Sequence, residues 1–226
     1  MNYKKFFTLS FDDGVEHDKR VIALMKKHGL SGTFNLNAGM LGHKPRLANI
    51  SRIPKDEIKQ VYEGFEVASH GYNHEVFRFL SQKKTAESIS KDLKELSGLL
   101  GYNVVGHAYP YAMYTKKAEA SLRKNGVIYG RWALGKGSFC FPENPFKYMP
   151  TCWFNDKNVF NLIDDFIKAE PEDEHMLFMM WGHAYELEYG VRRCPAEQLE
   201  RIFSRIAGQP DIAYCTNKEA FESVSL

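Results

Sequence analysis

The sequence predicts an α/β protein in which about seven parallel strands form a small barrel with helices outside. Three observations predict it. Strand-like apolar runs alternate with helix-like segments along the whole chain. The strand runs are continuously apolar, as strands covered on both faces are. Polar residues stand where those runs stop, at Asp12-Asp13, His70, Tyr109-Pro110-Tyr111 and His183. Strand ends that converge on one rim are how barrel enzymes assemble a site.

Residues 5–11 read as the first strand, with Phe6, Phe7, Leu9 and Phe11 suited to a buried sheet. Two carboxylates and Gly14 end it, the glycine permitting a sharp turn. A helix over 16–28 follows, with Val21, Leu24, Met25 and His28 on one face and Gly29 at its end. Residues 32–37 form a second strand, then a Gly/Pro-containing loop runs to 53. Pro54 opens a helix to about 62. Residues 64–69 form a third strand that runs into His70. A long helix covers 82–100, burying Ile89, Leu93, Leu96 and Leu100. Strand 104–109 stops at Pro110, helix 116–125 follows, and 127–132 is a fifth strand. The stretch 135–154, rich in Gly, Pro and aromatics, is read as a long irregular loop, a kind that is often functional. Helix 159–169, the apolar strand 176–181 leading into Gly182-His183, helix 195–207, strand 212–215 and helix 218–224 complete the chain.

The 226 residues suit one domain, taken as residues 1–226. Thirty basic residues nearly balance 28 acidic ones, which gives no electrostatic case for nucleic acid or an anionic membrane. Cys140, Cys152, Cys194 and Cys215 are widely spaced, with no Cys-x-x-Cys pair, so neither a cysteine zinc site nor a disulfide framework is expected. No apolar leader follows Lys4 and Lys5, and no run approaches the ~18 apolar residues of a membrane span, so the expected location is cytoplasmic. The oligomeric state is left open.

Two anions side by side, Asp12 and Asp13, repel and require a cation or a shared proton. His70 and His74 supply two imidazoles at i and i+4, which share a face if the turn is helical and can then reach one ion. Position 71 is glycine, so the internal glutamate of His-Glu-x-x-His peptidases is missing. The third ligand and a base must come from elsewhere, and Asp12 and Asp13 can supply one each. Two histidines and a carboxylate leave positions open for water and substrate. The same set occurs in Fe(II) oxygenases, but strand–helix alternation argues against their antiparallel barrels.

Ser10-Phe11-Asp12-Asp13-Gly14 resembles the first motif of the polysaccharide deacetylases, carbohydrate esterase family 4. Residues 69–74 are similar to the second motif, Ala108-Tyr109-Pro110-Tyr111 to the third, and 179–183 to the last. The resemblance implies a distorted (β/α) barrel and a metal-dependent hydrolase that removes an N-acetyl group from an amino sugar or glycan. It implies Asp13, His70 and His74 as metal ligands, with Zn2+ the usual metal and Co2+, Ni2+ or Mn2+ as alternatives. Asp12 would be the general base and His183 the general acid. The segment Tyr109, Pro110 and Tyr111 would bind substrate and, near Tyr111, the oxyanion.

One departure matters. The third motif of that family usually begins with arginine, which orients the base, and here the position is Ala108. Arg131, at the end of the next strand, is the expected replacement. Glu186 is expected to orient His183, and Trp181, Trp153 and Cys152 to line the pocket. Alternatives are a hydrolase of small cyclic amides or ureides on the same fold, and a degenerate member that binds carbohydrate without turnover.

Overall fold

A computed structural model describes residues 3–44, 50–135, 137–171, 174–190 and 193–224. Seven parallel strands are β1 (Lys5–Asp12), β2 (Thr33–Leu36), β3 (Glu66–Ser69), β4 (Gly106–Ala108), β5 (Tyr129–Arg131), β6 (Cys152–Trp153) and β7 (Met176–His183). Their order is β5-β4-β3-β2-β1-β7-β6. An eighth, β8 (Ile212–Tyr214), pairs with the first residues of β1. The sheet curls into a distorted (β/α) barrel, as expected. The stretch 148–154 spans its two edges: Trp132 N donates to Tyr148 O (2.8 Å) on the β5 side, and Thr151 N to Met179 O (2.9 Å) on the β7 side.

The stretch 135–154 is not the irregular loop expected. It contains β6 and a 3₁₀ turn over Pro145–Lys147. A two-residue strand is too short to carry a periodic signal; β7, its pairing partner, specifies it. The helix expected over 54–62 is α-helical only over Ile58–Val61. The long helix agrees: Gln82–Leu100 is capped by Ser81 and ended by Gly101 at φ 81°.

Every residue of β1 is buried, but its faces differ. Phe7, Leu9 and Phe11 belong to the main apolar core. Thr8, Ser10 and Asp12 point the other way, into the barrel, because side chains alternate along a strand. There Thr8 Oγ1 donates to Asn217 Oδ1 (2.8 Å) and Asn35 Nδ2 to Ser10 Oγ (2.9 Å). The last helix, Asn217–Ser223, plugs the end of the barrel away from His183. Its Phe221 stacks on Tyr129 at 5.1 Å, and its Lys218 N donates to Glu66 Oε2 (2.8 Å). With that end filled, the carboxyl ends of the strands are the open rim. Among the described residues, no helix is long and apolar enough to cross a membrane.

Candidate active site

Asp12 is the last residue of β1, and its register partners are Asn35 on β2 and His183 on β7. Three strand ends therefore meet at one level. Asp13 follows in the left-handed region (φ 89°) and Gly14 continues there (φ 63°). A Cβ on Gly14 would stand 2.7 Å from Leu36 Cδ2, so the turn needs glycine for space as well as angle.

His70 and His74 do lie together, with ring centroids 4.8 Å apart. The expected helical turn is corrected: the segment is an irregular turn with Gly71 at φ 76° and His74 at φ 56°. Hydrogen bonds from neighbouring elements shape it. Asn37 Nδ2 donates to the carbonyls of His70 (2.6 Å) and Gly71 (2.7 Å). Asp92, on the long helix, accepts from Ser69 Oγ (2.6 Å), Ala38 N (2.7 Å) and His70 N (3.2 Å). His70 Nδ1 lies 2.8 Å from the Ala108 carbonyl. A carbonyl only accepts, so the proton sits on Nδ1 and Nε2 is left with its lone pair.

Asp13, His70 and His74 each offer a ligand atom, all within 4.8 Å of one another, the one such cluster among the described residues. His74 Nε2 is 3.7 Å from Asp13 Oδ1. The protonation states suit a cation. Burial holds His70 below the usual imidazole range. Burial and the neighbouring His70 push His74 down to about 4. Burial opposes ionisation of Asp13, but Arg52 and the three nearby histidines outweigh it and bring its pKa to about 2. Two neutral imidazoles and a carboxylate fit zinc or another first-row divalent ion.

Asp12 is almost fully buried and accepts at Oδ1 from Arg131 Nη2 and from Asn35 Nδ2 (2.8 Å). Burial raises its pKa, but Arg131, His70 and His183 outweigh that, so the carboxyl stays below its ordinary range. The Arg131 guanidinium donates from Nη1 to Trp132 O (2.7 Å) and lies 4.9 Å over the Trp181 ring. Ala108 is its register partner across β4 and β5.

His183 stands across the cluster, its Nε2 4.0 Å from Asp13 Oδ2. Glu186 Oε1 is 3.3 Å from His183 Nδ1, and Glu186 Oε2 accepts from Trp153 Nε1 (3.0 Å) and His183 N (3.2 Å). Burial lowers the His183 pKa, but Glu186, Asp12 and Asp13 together raise it above the usual imidazole value.

Other expected residues divide. Tyr111 is exposed, adopts φ 55°, and its ring lies 4.5 Å from that of His74. Pro110 packs against the His70 turn: a Cβ on Gly71 would lie 3.3 Å from Pro110 Cγ. Trp153 and Trp181 are in contact, 4.0 Å between centroids, beside His183. Two placements are corrections. The Tyr109 side chain is buried against His107 and Tyr114, so it does not face substrate. Cys152 is a register partner of Met180, and both belong to the outer apolar core; alternation along β6 sends Trp153 inward and Cys152 outward.

Sequence reasoning missed Asn35, Asn37, Arg52 and Asp92. Asn35 and Asn37 carried a usable signal, polar residues at two-residue spacing where the second strand ends. Arg52 and Asp92 carried none.

The rim of this parallel barrel gathers a His/His/Asp cluster that could hold a metal ion, with a second carboxylate and an opposed histidine beside it. A polysaccharide deacetylase family model matches residues 2–130. The chain belongs to the polysaccharide deacetylase family. Solved structures share the fold at low identity. A Mycobacterium smegmatis protein assigned as a polysaccharide deacetylase is 14% identical with a TM-score of 0.68, covering 100% of this chain and 91% of that one. A Bacillus anthracis pseudoenzyme of carbohydrate esterase family 4 is 15% identical with a TM-score of 0.62, over 99% and 67% of the two chains. For a Streptococcus pyogenes deacetylase solved with acetate the identity is 18% and the TM-score 0.50; the match covers 56% of this chain and 55% of that one, so this chain spans about half of its length. No curated protein matches.

Proposed function

We propose that this protein hydrolyses the N-acetyl group of an amino sugar or glycan. The observation that carries the reading is the placement of Asp12 and His183 around the Asp13, His70 and His74 cluster, each with its own charged partner. A divalent cation held by Asp13, His70 and His74, zinc by its donor set, would polarise the acetamide carbonyl and acidify an attacking water.

The chain's own groups supply the rest. Arg131 and Asn35 both bond Asp12 at Oδ1, which leaves Oδ2 to take the proton from the attacking water. The backbone N–H at Tyr111 stabilises the oxyanion as it develops. Addition of the water forms the new C–O bond and the oxyanion; the carbonyl then re-forms as the C–N bond breaks, and His183 delivers a proton to the departing nitrogen. An amine leaves poorly until protonated, so an acid opposite the base is required. The products are acetate and a free amino sugar.

The cyclic-amide reading draws on the alanine at position 108. With Arg131 against Asp12 the base has its cation, and that ground weakens. The degenerate reading is opposed by the retention of Asp12, Asp13, His70, His74 and His183 together.

The test is acetate release from a panel of N-acetylated sugars and oligosaccharides, run beside ring opening of imides and ureides. Activity should vanish on chelation and return with zinc. Ring opening without acetate release would replace the proposed substrate class; activity indifferent to chelation would remove the cation from the reading.

A further inference from the structure

Residues 51–53 lie as a strap along the turn that follows β1. Glu16 N donates to Ser51 O and Ile53 N to Gly14 O, both at 2.9 Å, and Val15 and Arg52 form an antiparallel bridge. From this strap the Arg52 side chain reaches inward and is only 12% exposed. Its Nη1 donates to the backbone carbonyl of Asp13 and stands 3.1 Å from Asp13 Oδ1. One guanidinium thus engages both the main chain and the carboxylate of a residue held in the left-handed region (φ 89°), where a non-glycine residue needs outside support.

We propose that Arg52 is a positioning residue of the cation site: it locks the Asp13 backbone and carboxylate together, so that Asp13 presents its ligand atom to His70 and His74. The proposal rests on reading those three residues as a cation site. Two effects oppose each other here. A guanidinium beside a ligand repels an incoming cation. It also fixes the ligand's orientation; its contact with Oδ1 is an ion pair without a hydrogen bond, so that buried oxygen keeps its lone pairs for an ion. Outer partners of metal ligands commonly govern affinity through such orientation. The backbone bonds that fix the strap and the two-point contact favour orientation as the larger effect. Arg131 has the matching task for Asp12, so each carboxylate of the pair has its own arginine.

The experiment is Zn2+ affinity, measured by competition with a chromophoric chelator, for metal-free wild type, Arg52→Gln and Arg52→Lys. Circular dichroism checks the fold of each, and the Co2+ visible spectrum reports ligand geometry. Both variants should lose about 10–100-fold in affinity and show an altered Co2+ spectrum. Arg52→Lys keeps the charge and much of the length, which guards against a folding defect in Arg52→Gln. If folded Arg52→Gln binds Zn2+ as tightly as wild type or more tightly, the charge effect dominates and the proposal is wrong. Failure of wild type itself to bind Zn2+ would overturn the cation site and this proposal with it, a result distinguishable because it appears without any substitution.

Discussion

Ala108 and Arg131 face each other as register partners on β4 and β5, and the arginine reaches into the barrel to bond Asp12 on β1. The cation expected beside the base therefore stands at the same level of the barrel, one strand over. A methyl group at 108 leaves the interior open for it. The guanidinium and Asp12 are both almost fully buried. Such a pair is costly to break, by about 3–5 kcal/mol, because the survivor is left as an unpaired buried charge.

Arg131→Ala should lower kcat by ~100-fold or more and reduce Tm by several degrees. Returning the arginine to β4 in the double variant Ala108→Arg/Arg131→Ala should recover part of both losses. Acetate-release kinetics and thermal melts measure this; a double variant no better than Arg131→Ala would show that β5 geometry is essential.

Asp12→Asn should cut turnover by about 10²–10⁴-fold, the usual contribution of a general base, while zinc content stays near one per chain. Metal analysis beside acetate release checks it. Loss of the metal together with activity would place Asp12 among the ligands.

With His183 as the proposed acid, Glu186 should set the alkaline limb of the pH profile. The acid must be protonated to work, so activity falls as pH rises through the His183 pKa. Glu186 is the first of the groups that raise that pKa. Glu186→Gln should move the alkaline limb of kcat/KM to lower pH and leave the acidic limb, set by Asp12, in place. An unmoved alkaline limb would separate Glu186 from the acid's titration.

Far from the site, Glu66 sets a pH dependence of stability. Burial pushes its pKa from 4.5 up to about 7, despite bonds from Lys218 N, Thr33 and Tyr129. Between those values the folded state binds the extra proton, so its contribution is greatest below the unfolded pKa and is lost as pH rises through the folded one. The full loss is on the order of 3–4 kcal/mol at 1.36 kcal/mol per pKa unit. Urea midpoints at pH 5 and pH 8 should differ less in Glu66→Gln than in wild type.

The barrel class was legible because a strand covered on both faces and a helix covered on one leave different periods in the sequence. Asp12-Asp13-Gly14, His70 with His74, and His183 were legible because each group is contiguous and ends an apolar run. Arg131 could be named only as a candidate: its distance along the chain from Asp12 says nothing about proximity until β4 and β5 are laid in register. Tyr109 and Cys152 were placed toward substrate because their neighbours are, and the strand's alternation turned them away. Arg52, Asp92, Asn35 and the Trp153–Glu186 contact belong to the tertiary structure alone. Each joins segments far apart in the chain. By itself the sequence determined which groups are candidates for the chemistry, since side-chain identity fixes what can bind a cation or move a proton. Only the tertiary structure decided how those groups are held, because orientation depends on partners that packing, and no local pattern, brings within hydrogen-bond reach.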